Sequence, residues 1–82
     1  MRRNRRERKF VLCVWNEGYP ASLHLRKIYE RIPDPKSESH SLFRVVDEDG
    51  EGYLYPKRFF LPIELSKEAE EAFDALSELQ PA

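Results

Sequence analysis

SLFRVVDEDGEGYLYPKRFFLPIEL, residues 41–65, reads as a strand, an acidic turn, a second strand, a proline-led corner and a third strand. Two apolar arms, LFRVV and YLY, flank a glycine-containing acidic loop, and strand-like runs on either side of such a loop signal a β-hairpin. Alternation puts Phe43 and Val45 on one face and Leu42 and Val46 on the other. Gly50 or Gly52 is expected at the left-handed position of a bulged turn, because glycine reaches positive φ without a Cβ clash. Pro56 cannot donate to a ladder, so the second arm ends there and PKRF is expected to make one helical turn. Phe60 to Leu65 returns as a last strand, with Leu61, Ile63 and Leu65 on one face and Pro62 marking it as an edge or as irregular.

On the N-terminal side, Lys9 opens an abruptly apolar run. Phe10, Leu12 and Val14 alternate with Val11, Cys13 and Trp15, so both faces of a first strand are apolar and both should be covered. Asn16-Glu17-Gly18 is turn chemistry, and Tyr19 to Leu25 is a connector containing Pro20. KIYERI, residues 27–32, reads as a second strand in preference to the amphipathic helix that Leu25, Ile28, Tyr29 and Ile32 would line, because isoleucine and tyrosine favour sheets and Pro33-Asp34-Pro35 ends the run. Asp34 to His40 is polar, with no apolar anchor, and is expected to be a mobile loop.

Beyond the hairpin, Ser66 is a good N-cap, with Glu68, Glu70 and Glu71 near the positive end of the helix dipole. Ala69, Ala72, Phe73, Leu76 and Leu79 recur at helical spacing. So short a helix is marginal alone, and it survives only if Phe73 and Leu76 dock on the body or on another subunit. The expected fold is mainly β: a disordered basic arm over residues 1–8, a five-stranded barrel over 9–65 with a one-turn helix before its last strand, and a C-terminal amphipathic α-helix over 66–80.

RKIYERIPD followed by FRVVDEDGEGYLYPKRFF resembles a pattern common in small, uncharacterised bacterial proteins with an SH3-like barrel: a lysine-aromatic strand, an RVVD-acidic-glycine hairpin, and YLYP before a phenylalanine. The resemblance covers residues 10–65. It implies the SH3-like fold and carries no activity, since small barrels host many unrelated functions.

At 82 residues there is room for one core, near the size at which burial barely offsets the entropy of ordering. Trp15, Phe10, Phe43, Phe59 and Phe60 are expected to supply much of its area, each large aromatic burying about 150–250 Å². Cys13, the one cysteine, allows neither an intramolecular disulfide nor a cysteine zinc site. The basic start RRNRRERK before FVLCVW imitates a signal peptide, but Asn16, Glu17 and Gly18 cut the apolar run short and no small-residue cleavage site follows. A cytoplasmic protein without a membrane span is expected.

The formal charge of −1 hides an asymmetry: residues 1–9 hold six basic side chains against Glu7, giving +5 and leaving −6 on residues 10–82. Arg2, Arg3, Arg5 and Arg6 are therefore candidate nucleic-acid contacts, since arginine-rich segments bind phosphates by releasing counterions. DEDGEG imitates a calcium loop, with Asp47, Asp49 and Glu51 at positions 1, 3 and 5. Arg58 stands at position 12, where a bidentate Glu is required, and strands flank the loop, so a solvated hairpin tip is expected instead. These carboxylates share one loop with no pocket to separate their pKa values, and Cys13, within a strand that is apolar on both faces, is no partner for His24 or His40. No catalytic residue, metal or cofactor is expected. Trp15, Tyr19, Tyr53, Tyr55 and Arg58 are the candidate partner-binding residues, because small barrels with exposed aromatics receive proline-rich or extended peptides. The expected function is a small non-enzymatic interaction or adaptor module binding a protein or peptide; the alternative is a nucleic-acid-associated accessory protein using its basic arm.

Overall fold

The computed structural model describes residues 8–79, with side chains as far as Leu76. Its elements are β1 (Lys9–Cys13), β2 (Ile28–Ile32), α1 (Pro35–Glu38), β3 (Leu42–Val46), β4 (Gly52–Pro56), a 3₁₀ turn (Lys57–Phe59), β5 (Phe60–Ile63) and α2 (Lys67–Leu79). All five strands join one antiparallel sheet in the order β4-β3-β2-β1-β5. The sheet does not close on itself: β4 and β5 are its two edges, so the expected barrel is corrected to an open five-stranded sheet. Both edges are proline-limited. Pro62 sits within the four-residue β5 and Pro56 ends β4, and neither has an N–H with which to extend a ladder.

The hairpin register follows from its turn. The Asp47 carbonyl accepts from the Gly50 N–H at 2.9 Å, the Asp47 N–H donates to the Glu51 carbonyl at 3.2 Å, and Gly50 has φ +81°. That is a type I turn closed by a glycine bulge. It sets Val45 opposite Tyr53 and Phe43 opposite Tyr55, and opposed residues share a face. Val11, Cys13, Tyr29, Phe43, Val45, Tyr55 and Phe60 form the core on this inner face, roofed by Leu23 from the β1–β2 connector and Phe59 from the 3₁₀ turn. Residues 28–32 are strand, as preferred, with Tyr29 inward.

The other face of β1 explains its doubly apolar pattern. Phe10 is buried there against Phe73 of α2, ring centroids 5.2 Å apart in an edge-to-face contact. Leu76 does not share this docking and is exposed. The Ser66 hydroxyl accepts from the Ala69 N–H at 3.0 Å, the expected N-cap. Arg8 clamps the same corner, donating to Glu30 at 2.7 Å and to Asp74 at 2.9 Å. Arg8 therefore belongs to the folded body and not to a disordered arm, a correction that the pairing of Arg8 with carboxylates on β2 and α2 explains.

Two further expectations are corrected. The segment 34–40 is not an unanchored loop: Asp34 caps α1, accepting from the Ser37 hydroxyl at 2.8 Å and from Arg44 Nε at 3.0 Å, while Arg31 donates to Glu38 at 2.6 Å. Charge pairs anchor it where apolar residues do not. Trp15 is not in the core either, because β1 ends at Cys13 and leaves its side chain 52% exposed.

Candidate functional site

Three elements, β4, the β1–β2 connector and the 3₁₀ turn, bring aromatic side chains together beside the β4 edge. Tyr55, on β4, is 1% exposed, so its ring belongs to the core and is corrected from a contact residue to a support. Tyr19 of the β1–β2 connector stands edge-on to it at 5.0 Å, and Tyr53 lies 5.4 Å away. Tyr19 also meets Phe59, at 6.1 Å. The Phe59 carbonyl accepts from the Val14 and Trp15 N–H groups, at 2.8 and 3.3 Å, which brings the Trp15 backbone to the same point. Arg58 carries its guanidinium over the Phe59 ring at 5.5 Å. Of the five residues singled out from the sequence, Tyr19 and Tyr53 meet at buried Tyr55 and Arg58 lies over buried Phe59, while Trp15 reaches Phe59 by its backbone alone. Phe59, assigned only to the core, is the member that sequence reasoning missed; its place directly after Arg58 at the end of the YLYP corner was the signal.

What remains accessible is a ridge of Tyr53 and Tyr19, exposed 56% and 39%, with Arg58 over the neighbouring Phe59 ring; Trp15, exposed 52%, is tied to Phe59 through its backbone N–H. Its base is fixed locally. Gly18, at φ +92°, turns the chain, Tyr19 N–H donates to the Asn16 carbonyl at 2.8 Å, and Asn16 Nδ2 donates to the carbonyl of buried Leu23 at 2.8 Å. Aromatic contacts of this geometry contribute about 0.5–1.5 kcal/mol each beyond area burial, so the ridge is pre-set before any partner arrives.

The hairpin tip is not simply solvated. Asp47 continues the inward alternation of Phe43 and Val45, is buried, and accepts from the Tyr55 hydroxyl at 2.7 Å and from the Asp49 N–H at 3.0 Å. Glu48 reaches the connector: its N–H donates to the Ser22 carbonyl at 3.0 Å, and its carboxylate accepts from Lys27 at 2.6 Å and from the Tyr29 hydroxyl. The tip is bolted to the segment that holds Tyr19. Burial pushes the Glu48 carboxyl up, but the hydrogen bonds from Lys27 and Tyr29 outweigh it and hold the group below its ordinary value. Burial, together with these carboxylate acceptors, raises the Tyr29 and Tyr55 phenols well above the usual range.

A depressed carboxylate contributes stability above its unfolded pKa and loses it as pH falls through the folded one. Unfolding free energy is therefore expected to hold steady above the ordinary Glu value of 4.5 and to drop below it. Glu48→Gln should cost about 1–2 kcal/mol near neutral pH, by weakening charge-assisted bonds, and should flatten the acid slope. Asp34 and Asp74, also depressed by their partners, leave a residual slope of the same sign. Urea unfolding across about pH 3–7 checks both.

No protein-family model, curated protein or solved structure matches the chain. The ridge has to be read from its own chemistry. Among the described residues no three His, Cys, Asp or Glu side chains gather as metal ligands would, and no helix is long and apolar enough to cross a membrane. Cys13 is buried and burial pushes its thiol up. A hollow of about 550 Å³ is lined by Ser41, Phe43, Lys57, Arg58, Phe60 and Pro62. An open cleft of about 770 Å³ lies elsewhere, between the start of β1 and the start of α2, where Arg8, Lys9, Arg31 and Lys67 mix with Glu64 and Glu70. Arg2, Arg3, Arg5 and Arg6 lie outside the described residues.

Proposed function

We propose that the chain is a non-enzymatic interaction module whose aromatic ridge receives an extended, proline-containing peptide with an acidic residue for Arg58. The observation that carries this reading is the meeting of exposed Tyr19 and Tyr53 at buried Tyr55, with Arg58 over Phe59 and exposed Trp15 tied to the Phe59 carbonyl by its backbone. Flat, rigid aromatic faces suit the rings and backbone of an already extended peptide, whose ordering cost is small. No carboxylate of the described residues pairs with Arg58. The strand order and the 3₁₀ turn between β4 and β5 support an SH3-like reading of the open sheet.

Trp15 is the single tryptophan and reports occupancy directly. In a screen of proline-containing acidic peptides, binders are expected to blue-shift its emission and to move the amide resonances of Tyr19, Tyr53 and Arg58. Tyr53→Ala should weaken such a binder at least tenfold, about 1.4 kcal/mol, with little change in Tm because the ring is largely exposed. Binding that survives Tyr53→Ala combined with Trp15→Ala sinks the reading, as does a screen with no response at these residues.

A further inference from the structure

The free edge of β4 carries a register that fits a second copy of itself. Tyr53 and Tyr55 spend their backbone groups on Val45 and Phe43, because the Asp47–Glu51 bond starts the ladder and hydrogen-bonded pairs recur every second residue. Gly52, Leu54 and Pro56 consequently point their backbone groups away from β3. Sheet order leaves β4 with no neighbour on that side among the described residues. Pro56 blocks only the end of this edge, and the outward groups of Gly52 and Leu54 remain a template for another strand.

We propose that two copies pair antiparallel through β4, about a two-fold axis at Leu54, to give one continuous ten-stranded sheet. Leu54 is the central residue of β4 and its N–H and C=O both face out, so the axis makes it donate to and accept from its own counterpart. In this register Gly52 faces Pro56 of the second copy. Pro56 has no N–H to offer the Gly52 carbonyl, and that carbonyl is already served by Arg44 Nη1 at 3.3 Å. The Gly52 N–H faces the Pro56 carbonyl. The side chains agree with the backbone: Tyr53, exposed, lies opposite Tyr55 of the other copy on the inner face, extending the aromatic row across the axis. Glu51 meets Lys57 twice, once on each side of the axis. Within one chain these two charges are six strand positions apart, about 20 Å, so they have no bearing on each other except across the pair.

A five-residue edge is at the small end of interface size, below roughly 1,200 Å², so the dimer is concentration-dependent. Sedimentation equilibrium on the full chain tests it. Wild type should associate, and Glu51→Lys or Lys57→Glu alone should weaken association at least tenfold, because each reversal acts twice across the axis. Mixing the two single variants, or combining both changes in one chain, should restore it. Glu51 is exposed, whereas Lys57 is half-buried with its ammonium 5.4 Å over the Phe43 ring, so circular dichroism confirms the fold of each variant. A wild-type chain that stays monomeric at about millimolar concentration overturns the proposal. So does a dimer indifferent to both reversals, which would use another face, or one that neither mixing nor the double change restores.

Discussion

Tyr55→Ala is expected to leave the chain unfolded at 25 °C, while Tyr55→Phe folds but loses about 1–3 kcal/mol. The ring is 1% exposed and touches Tyr19, Tyr53 and Phe60, so truncation removes a core aromatic at about 3–5 kcal/mol. It also leaves the buried Asp47 carboxylate without its strongest donor, which costs about 1–3 kcal/mol more. An 82-residue domain sits toward the lower part of the usual range of about 5–15 kcal/mol, and the combined loss is comparable to that reserve. Phenylalanine keeps the packing and deletes only the hydroxyl. Near-UV circular dichroism should be lost in the first variant and kept in the second, with a lower urea midpoint at unchanged m-value. A Tyr55→Ala chain that keeps its wild-type midpoint would return Tyr55 to the surface and remove the support on which the ridge rests.

That residue shows where the sequence is legible and where it stops. The hairpin, its glycine bulge, the 3₁₀ turn and the N-cap at Ser66 are local: turn chemistry and short-range alternation specify them, and they stand where the pattern puts them. Side-chain fate at an edge is not local. Tyr53 and Tyr55 are chemically identical and two residues apart on the same face, yet one is exposed and the other buried, because Tyr19 arrives from a connector more than thirty residues away to roof only the second. Glu48 differs from Asp49 for the same reason, since Ser22, Lys27 and Tyr29 meet it from across the fold. The open sheet was likewise beyond the pattern. Closure depends on whether β4 and β5 come within bonding distance, which alternation does not encode. Aromatic content does not say which rings stay outside: Trp15, expected in the core, is exposed with Tyr19 and Tyr53, whereas Tyr55, expected to contact a partner, is buried.

Phe73→Ala should melt α2 while the sheet stays folded. α2 has thirteen residues, a length at which an isolated helix is marginal in water, so its order depends on how it is held. Among the described residues its holds include Phe73 on Phe10, and Arg8 between Glu30 of β2 and Glu70 and Asp74 of α2. Their magnitudes differ. The ion pairs are partly exposed and screened by salt, so they hold weakly, whereas truncating a half-buried phenylalanine that covers a buried one costs about 2 kcal/mol. High salt or Arg8→Ala should therefore leave ellipticity at 222 nm nearly unchanged, and Phe73→Ala should reduce it by the contribution of this one helix. Hydrogen exchange separates this from global unfolding: amides of residues 70–76 should lose protection while those of β1, β2 and β3 keep theirs. If instead Arg8→Ala melts the helix and Phe73→Ala does not, the charge cluster is the principal hold, and α2 would become a salt-sensitive flap over the outer face of the sheet.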